Sequence, residues 1–161
     1  MGKVLVTGAT GFVGGALVVR LAGEYPAGDV LAAVRLKGVA LAESVRSVFV
    51  RDLLPTNDWR VALQGVKAVV HCAARVHVMR EEVGAPLAVY RQVNVEGTLN
   101  LARQSAAAGV CRFVFVSSIK VNGDTTPPGQ PFSAGDVPAP LDPYGVSKLE
   151  AEQGLRELEA K

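Results

Sequence analysis

The sequence has little of several features that define other classes of protein. Its 161 residues include only two cysteines, Cys72 and Cys111, which do not form a Cys-x-x-Cys pair. Both stand in or beside apolar, strand-like runs, so we expect buried, reduced thiols and no disulfide. No apolar run reaches the ~18 residues that a membrane span needs. Because the chain opens directly on a strand-like run, we expect no signal peptide before it. We therefore expect a cytoplasmic protein with no membrane partner.

Charge and metal-ligand patterns are also sparse. Asp, Glu, Lys and Arg make up 20% of the residues and the net charge is +2. No basic stretch alternates with aromatics, which argues against a nucleic-acid partner. The two histidines, His71 and His77, have no Cys or Glu at ligand spacing, so we expect no metal site. Apolar residues make up 49%, which is typical of one globular α/β domain with a sizeable core.

The most informative stretch runs from Val4 to Gly15. An apolar, β-branched run ends at Gly8, and apolar residues then recur at helical spacing, which predicts a strand, a tight turn and a helix. Gly8, Gly11 and Gly14 space the junction as Gly-x-x-Gly-x-x-Gly. Such glycines permit an unusual backbone conformation, the approach of a pyrophosphate and close packing of helix on strand. The free N–H groups of the helix start would hold the anion. The alternative is a glycine-rich turn without a ligand.

The rest of the chain alternates strand-like and helical segments. We predict further strands at 30–34, 47–51, 68–74 and 113–116, a short helix at 58–64, a long helix at 86–108 and a final helix from Tyr144 onward. Residues 122–143 hold six of the nine prolines and form either a linker or a binding loop. The alternation predicts an α/β fold, a doubly wound parallel sheet with helices on both faces.

Arg35 follows the second strand, at the position where dinucleotide folds select the adenosine ribose. A carboxylate there binds the 2′-OH of NAD, whereas an arginine accommodates the 2′-phosphate of NADP. Lys37 lies two residues further on. Two interpretations stay open for this stretch: a solvated basic loop, or a role beside the ribose or adenine.

Tyr144 and Lys148 open the last helix, four residues apart, so their side chains lie on one face. A phenol titrates near pH ~10, too high for a base at neutral pH, and a neighbouring ammonium favours the phenolate. Ser118 stands at the carboxyl end of a strand, where a doubly wound sheet presents ligand contacts. Its hydroxyl could fix the substrate oxygen from which Tyr144 removes a proton.

These motifs together resemble the extended short-chain dehydrogenase/reductases, and within them the NAD-dependent nucleotide-sugar epimerases and dehydratases. The resemblance spans nearly the whole chain. It implies Ser118, Tyr144 and Lys148 as catalytic residues. Tyr144 and Lys148 would also contact the cofactor, and the resemblance implies fourteen further cofactor-binding residues: Gly8, Thr10, Gly11, Phe12, Val13, Gly14, Arg35, Asp52, Leu53, Cys72, Ala73, Ala74, Asn94 and Ser117.

The resemblance also implies a reaction. Tyr144 would take the proton from a sugar hydroxyl while the carbon loses a hydride to NAD, and Lys148 would bond the nicotinamide ribose. The keto sugar would turn over and be reduced on its other face. The expected substrate is a nucleotide-sugar, UDP-linked, and the expected assembly of the full-length form is a homodimer. Because Arg35 replaces the usual Asp, NADP is the alternative cofactor.

The family's members continue beyond the equivalent of Lys161 into a substrate-binding portion. We therefore expect residues 1–161 to form a Rossmann-type dinucleotide-binding domain without the C-terminal substrate-binding portion, and to be inactive alone. Two other functions stay open: an NADPH-dependent carbonyl reductase of the same family, and a non-catalytic module that senses the cofactor.

Overall fold

A computed structural model describes residues 2–76 and 87–160 as a parallel α/β fold. The five-stranded sheet has the order β3-β2-β1-β4-β5, and every neighbouring pair is parallel. Its strands are β1 (Lys3–Thr7), β2 (Val30–Val34), β3 (Val45–Phe49), β4 (Val66–His71) and β5 (Arg112–Phe115). The helices are α1 (Phe12–Ala22), α2 (Leu87–Tyr90), a π-helical segment (Arg91–Gly97), α3 (Thr98–Ala107), a 3₁₀ turn (Ile119–Val121) and α4 (Pro143–Glu159). This is the Rossmann-type fold that the sequence predicts.

Two hydrophobic clusters cover the two faces of the sheet. Side chains alternate along a strand, and in β1 the central Leu5 belongs to one cluster while Val4 and Val6 belong to the other. The first cluster also contains Trp59 and Leu101, and the second packs against α1 through Val18. Burial on both faces explains why β1 and β2 are almost continuously apolar.

The strand predictions are confirmed with boundary shifts, but the predicted short helix at 58–64 is wrong. That segment forms turns that lead into β4. The backbone N–H of Trp59 donates to Gln104 Oε1 at 2.8 Å, and Asp58 accepts from the N–H of Arg60 at 3.0 Å. The segment contains one helix-type hydrogen bond, from the N–H of Leu63 to the carbonyl of Trp59 at 2.9 Å, whereas the N–H of Gln64 bonds the carbonyl of Val61, three residues back, in a turn. Trp59 and Leu63 are nevertheless both buried in the core.

The predicted long helix exists, with a π-helical segment in its middle. Pro86, its predicted first residue, lies outside the described residues, and Gly109 follows its end with a φ of +74°. A π turn takes up more residues than an α turn, so the buried face of the helix shifts. Leu101 is fully buried while Leu99 is only partly buried. Gly97 is required in this segment, because a Cβ there would lie 2.2 Å from the carbonyl oxygen of Leu53.

The prediction that both cysteines are buried is wrong, and two helices leave large apolar side chains at least partly exposed. Cys111 is exposed and Cys72 is half-buried, although both are free thiols as predicted. Val13 points outward on α1, where Gly14 and Val18 are buried. The three leucines of α4 are only partly buried, and the helix buries small and polar residues: Gly145, Ser147, Lys148 and Ala151. The buried face of α4 is therefore small and polar, and it packs against the π-helical segment and α3.

Among the described residues, every helix is too short or too polar to cross a membrane. Residues 122–142 are irregular, as predicted, and end at Asp142, whose side chain accepts from the N–H of Gly145 at 2.6 Å. This N-cap and Pro143 at the first helical position set the start of α4. The residue that follows them is Tyr144.

Candidate cofactor and catalytic site

The strand order places the ends of β1 and β4 side by side at the centre of the sheet. From this centre the sheet continues through β2 to β3 on one side and to β5 on the other side, so the order of the strands reverses between β1 and β4. In doubly wound sheets this reversal opens a crevice at the carboxyl ends of the strands, where ligands bind. The glycine turn follows β1 at this edge, and Cys72, Ala73 and Ala74 follow β4.

The three glycines of the turn have separate structural reasons. Gly8 has a φ of +67°, and a Cβ there would lie 2.7 Å from the amide nitrogen of Ala73. Gly14 brings α1 onto the turn, since its Cβ would lie 2.2 Å from the carbonyl oxygen of Gly8. Gly11 has neither constraint: its backbone is extended and its Cβ would meet the Gly8 oxygen at 3.3 Å. The conformation therefore does not require glycine at Gly11.

The start of α1 fits the pyrophosphate of a dinucleotide. Gly11 is the N-cap and offers no side-chain acceptor to the first N–H groups of the helix, which have no partner within the helix. A side chain at Gly11 would fill the space in front of them. Thr10, Phe12 and Val13 are exposed around this space, and Phe12 retains 98% of its accessible surface. An open helix N-terminus of this kind holds anions.

The residues predicted beside the adenosine lie on the β2 and β3 side of the crevice. Arg35 is exposed directly after β2. Asp52 is exposed after β3, and its carboxylate accepts the N–H of Leu53 at 2.8 Å. The carbonyl of Leu53 lies against Gly97 of the π-helical segment. The exposed guanidinium and carboxylate are therefore both available to a nucleoside at this end.

His71 is fully buried at the end of β4 and connects three elements. Its Nδ1 lies 2.6 Å from Thr7 Oγ1, and its Nε2 lies 2.9 Å from Thr98 Oγ1. Thr7 Oγ1 also accepts the N–H of Ala73 at 3.2 Å. Burial, together with the charge of Lys148, lowers the pKa of His71 to about 3. His71 is therefore a neutral core residue at the end of β4.

Lys148 is almost fully buried in α4 and points at the end of β5. Its Nζ donates to the carbonyl of Val116 at 2.8 Å and lies 3.8 Å from the centroid of the Phe115 ring. Burial lowers the pKa of Lys148 to about 8, while the charges of Glu152 and Cys72 oppose the shift. A lysine with this pKa remains a cation at neutral pH, close to its titration range.

Tyr144 lies one helical turn before Lys148 and is half-buried. Its backbone carbonyl accepts from Ser147 Oγ at 2.7 Å, and Ser147 Oγ accepts from Asn94 Nδ2 at 2.9 Å. Asn94 is itself held by the backbone of Arg75, with its Oδ1 accepting at 2.7 Å and its Nδ2 donating at 3.0 Å. The buried Asn94 of the π-helical segment therefore links the chain after β4 to the turn that carries Tyr144.

The two serines after β5 have different surroundings. Ser117 Oγ donates to Glu152 Oε1 of α4. Ser118 Oγ accepts the N–H of Lys120 at 3.3 Å and caps the 3₁₀ turn. Ser118, the predicted catalytic serine, thus lies at the edge of the crevice after β5, two residues after Val116, whose carbonyl Lys148 contacts.

The predicted residues fall into two groups along one edge of the sheet. One group follows the strands β1 to β3 and consists of the glycine turn, Arg35, Asp52 and Leu53. The other group lies at the end of β5 and consists of Ser117 and Ser118, which follow that strand, and Tyr144 and Lys148 of α4. Sequence reasoning missed the polar residues that connect or support them: Thr7, Thr98, Ser147 and Glu152. The spacing of Glu152, four residues after Lys148, is the signal that could have identified it. Within the described ranges, no cluster of His, Cys, Asp or Glu could hold a metal ion, and His77 lies outside them.

Comparison with known proteins bears on this arrangement. Residues 4–161 match the profile of the NAD dependent epimerase/dehydratase family. A UDP-glucose 4-epimerase of Vibrio cholerae is 46% identical over 156 residues, which cover 95% of this chain and 46% of that protein. A 3-beta-hydroxysteroid dehydrogenase of Mycolicibacterium neoaurum is 36% identical over 141 residues, covering 80% of this chain and 37% of that protein.

Solved structures give the same relationship. MoeE5 in complex with UDP-glucose and NAD superposes with a TM-score of 0.82 at 34% identity, covering 99% of this chain and 50% of MoeE5. The UDP-glucuronic acid 4-epimerase of Bacillus cereus in complex with NAD has a TM-score of 0.78 at 25% identity, covering 99% of this chain and 53% of that one. The chain thus spans about half the length of the relatives it matches.

Proposed function

Since the chain belongs to the NAD dependent epimerase/dehydratase family, we propose that it is the cofactor-binding and catalytic portion of a nucleotide-sugar epimerase. Residues 1–161 form one dinucleotide-binding domain in this proposal, and the substrate-binding portion lies outside them. The observation that carries the proposal is the buried Lys148, held at the end of β5 one turn after Tyr144. Burying an ammonium is costly, and packing alone does not explain a buried lysine one helical turn after a tyrosine.

NAD is the cofactor we propose. Its pyrophosphate would be held by the N–H groups at the start of α1, in front of Gly11, and its adenosine would lie by Arg35 and Asp52. Cys72, Ala73 and Ala74 would line its middle, since these small and half-buried residues leave room at the end of β4. Bound NAD would accept a hydride from the sugar carbon and return it.

The catalytic proposal assigns one role to each residue. Tyr144 takes the proton from the sugar hydroxyl, and the positive charge of Lys148 lies one helical turn away on the same helix. Ser118 holds the sugar oxygen on the opposite side by a hydrogen bond. Lys148 also donates to the nicotinamide ribose. Asn94 and Ser147 act on the backbone of Tyr144, and hold the turn that presents the phenol.

The relatives support a nucleotide-sugar as the substrate. A UDP-glucose 4-epimerase and a protein solved with UDP-glucose are among them, so we propose a UDP-linked sugar. A dehydrogenase is also among the relatives, and the exposed Arg35 suits a 2′-phosphate. An NADPH-dependent carbonyl reductase is therefore the second candidate function. A cytoplasmic location and a homodimer of the longer form stay predictions.

The proposal can be tested in two steps. Isothermal titration with NAD measures whether the 161-residue chain binds the cofactor. Joining this chain to the remaining portion of the Vibrio relative then provides the missing substrate portion, and interconversion of UDP-glucose and UDP-galactose is assayed. We expect turnover that Tyr144→Phe lowers by about two to four orders of magnitude. Reduction of carbonyl compounds with NADPH, without epimerisation, would favour the second candidate. Binding of neither nucleotide would contradict both.

A further inference from the structure

Glu152 lies on the same face of α4 as Tyr144 and Lys148, because the three residues are spaced four apart in this helix. Its carboxylate accepts a hydrogen bond from Ser117 Oγ. One turn earlier, Lys148 Nζ donates to the carbonyl of Val116 at 2.8 Å. Two consecutive residues after β5 are therefore tied to two consecutive turns of α4.

This pair of contacts acts on the position of Ser118. The residue follows Ser117 directly, and its own side chain caps the next turn. Val116 is held by the sheet, since its N–H donates to the carbonyl of His71 at 3.0 Å, and by Lys148, which bonds its carbonyl. The bond from Ser117 to Glu152 extends the attachment to α4 by one residue, to the neighbour of Ser118. The contacts of Lys148 and Glu152 therefore both act on the distance between the Ser118 hydroxyl and α4.

Charge provides a second, independent link. Lys148 Nζ is faced by the Phe115 ring from β5 and by His71 and Cys72 from β4, with Tyr144 and Glu152 on its own helix. His71 is neutral, and burial raises the pKa of the Cys72 thiol above its usual value. Glu152 is thus the carboxylate that interacts with the buried ammonium. On the solvent side, Arg156 lies 3.7 Å from Glu152, and the Glu152 side chain is only 24% exposed.

We propose that Glu152 is a positioning residue of this site, whose carboxylate fixes the end of β5 to α4 and supplies the negative charge beside the Lys148 ammonium. The inference rests on the proposed function, since it gives Glu152 a role in presenting Ser118 and Lys148. Glu152 touches neither substrate nor cofactor in this role and acts through Lys148 and Ser117.

The test is a pH titration of Lys148 in the 161-residue chain, followed by NMR of ¹³C-labelled lysine Cε. The Lys148 resonance is the one missing from the spectrum of Lys148→Met. We expect Glu152→Gln to lower the midpoint of Lys148 by roughly half a unit to one unit, because an opposite charge stabilises the ammonium. Glu152→Asp, which keeps the charge, should restore most of the loss.

Glu150→Gln is the matched control. It removes the same charge from the same helix, but Glu150 pairs with Arg91 at 2.5 Å and does not face Lys148. We expect the midpoint of Lys148 to be unchanged in this variant. Ser117→Ala removes the hydrogen bond and keeps the charge, and should also leave most of the midpoint intact. An equal shift in Glu152→Gln and Glu150→Gln would overturn the proposal.

The unsubstituted chain gives a second measurement that does not depend on a variant's folding. The Lys148 resonance should move a second time at acidic pH, in step with the protonation of Glu152 followed at its ¹³Cδ. A Lys148 chemical shift that does not change as Glu152 is protonated would contradict the proposal. The outcome is separate from that of the proposed function, because NAD binding is measured independently: a chain that fails to bind NAD can still show the coupling of Glu152 to Lys148.

Discussion

Replacing Gly11 by valine should separate cofactor binding from folding. Gly11 has a φ of −85° and a ψ of 174°, a conformation open to any residue, and its added Cβ would come no closer than 3.3 Å to the Gly8 oxygen. The unfolding free energy should fall by only about 1 kcal/mol, the usual cost of a poor N-cap residue. The valine would nevertheless occupy the space in front of the N–H groups of α1.

The expected loss of NAD affinity follows from the bonds that the side chain blocks. A hydrogen bond to a charged group contributes about 1.5–3 kcal/mol, so losing two such bonds to the pyrophosphate costs about 3–6 kcal/mol. That corresponds to a weakening of roughly 100-fold or more. Isothermal titration with NAD measures the affinity, and urea denaturation of the same sample measures the stability.

Two other glycines provide the controls. Gly15→Ala places its Cβ at an ordinary contact of 3.5 Å from the carbonyl oxygen of Ala9, so it should keep both stability and NAD binding. Gly14→Ala puts a Cβ 2.2 Å from the Gly8 oxygen and should cost roughly 1–3 kcal/mol or more of stability through overpacking. Unchanged NAD affinity in a folded Gly11→Val would refute the placement of the pyrophosphate.

Three further predictions address the cofactor, the base and the buried histidine. Arg35→Asp should weaken NADP far more than NAD in parallel titrations; an unsubstituted chain that binds NADP at least tenfold better, about 1.4 kcal/mol, would contradict the choice of NAD. In the joined enzyme, Tyr144→Phe should keep NAD binding and lower turnover by about two to four orders of magnitude, whereas unaltered turnover would leave Tyr144 a packing residue. His71 stays neutral in the fold, with a pKa of about 3 against 6.5 when unfolded, so the stability it contributes above pH 6.5 is lost progressively as the pH falls from 6.5 to 3. Between pH 7.5 and 5.5, urea denaturation should show the unsubstituted chain losing roughly 1 kcal/mol more than His71→Gln, and equal losses would contradict the neutral histidine.

The fold was predictable because its signals are local and repeated. The strand 30–34 is a continuous apolar run, and the structure has β2 at Val30–Val34. The glycine turn predicts its own strand and helix, since Gly8 and Gly14 meet backbone atoms that leave no room for a side chain. Such close approaches require glycine, so they can be recognised from the local sequence without knowledge of the rest of the chain.

The segments that failed depend on contacts between distant residues. The turns at 58–64 have helical apolar spacing, but Gln104, 45 residues away from Trp59, satisfies a backbone N–H there. The π-helical segment likewise follows from tertiary contacts: Asn94 bonds the backbone of Arg75 and the hydroxyl of Ser147, and Gly97 packs on Leu53. No local pattern distinguishes a π turn from an α turn.

The sequence predicts the main residues of the candidate site but not the hydrogen bonds that connect them. Tyr144 and Lys148 are identified by spacing, whereas the partner of Lys148 is a backbone carbonyl, which no residue type reveals. Glu152 was not predicted as part of the site, because an acidic residue at helical spacing usually faces solvent. In α4, Leu149, Leu155 and Leu158 are only partly buried, whereas Ser147 and Lys148 are buried, so hydrophobicity alone does not identify the buried face of this helix.

The placement of the dinucleotide is tested most directly by a crystal structure of this chain grown with NAD. We expect the pyrophosphate against the N–H groups at the start of α1, in front of Gly11. The nicotinamide ribose should lie within hydrogen-bond distance of Lys148 Nζ and the Tyr144 hydroxyl. A dinucleotide bound in the reverse direction or away from this edge of the sheet would contradict the account, as would no binding at millimolar NAD.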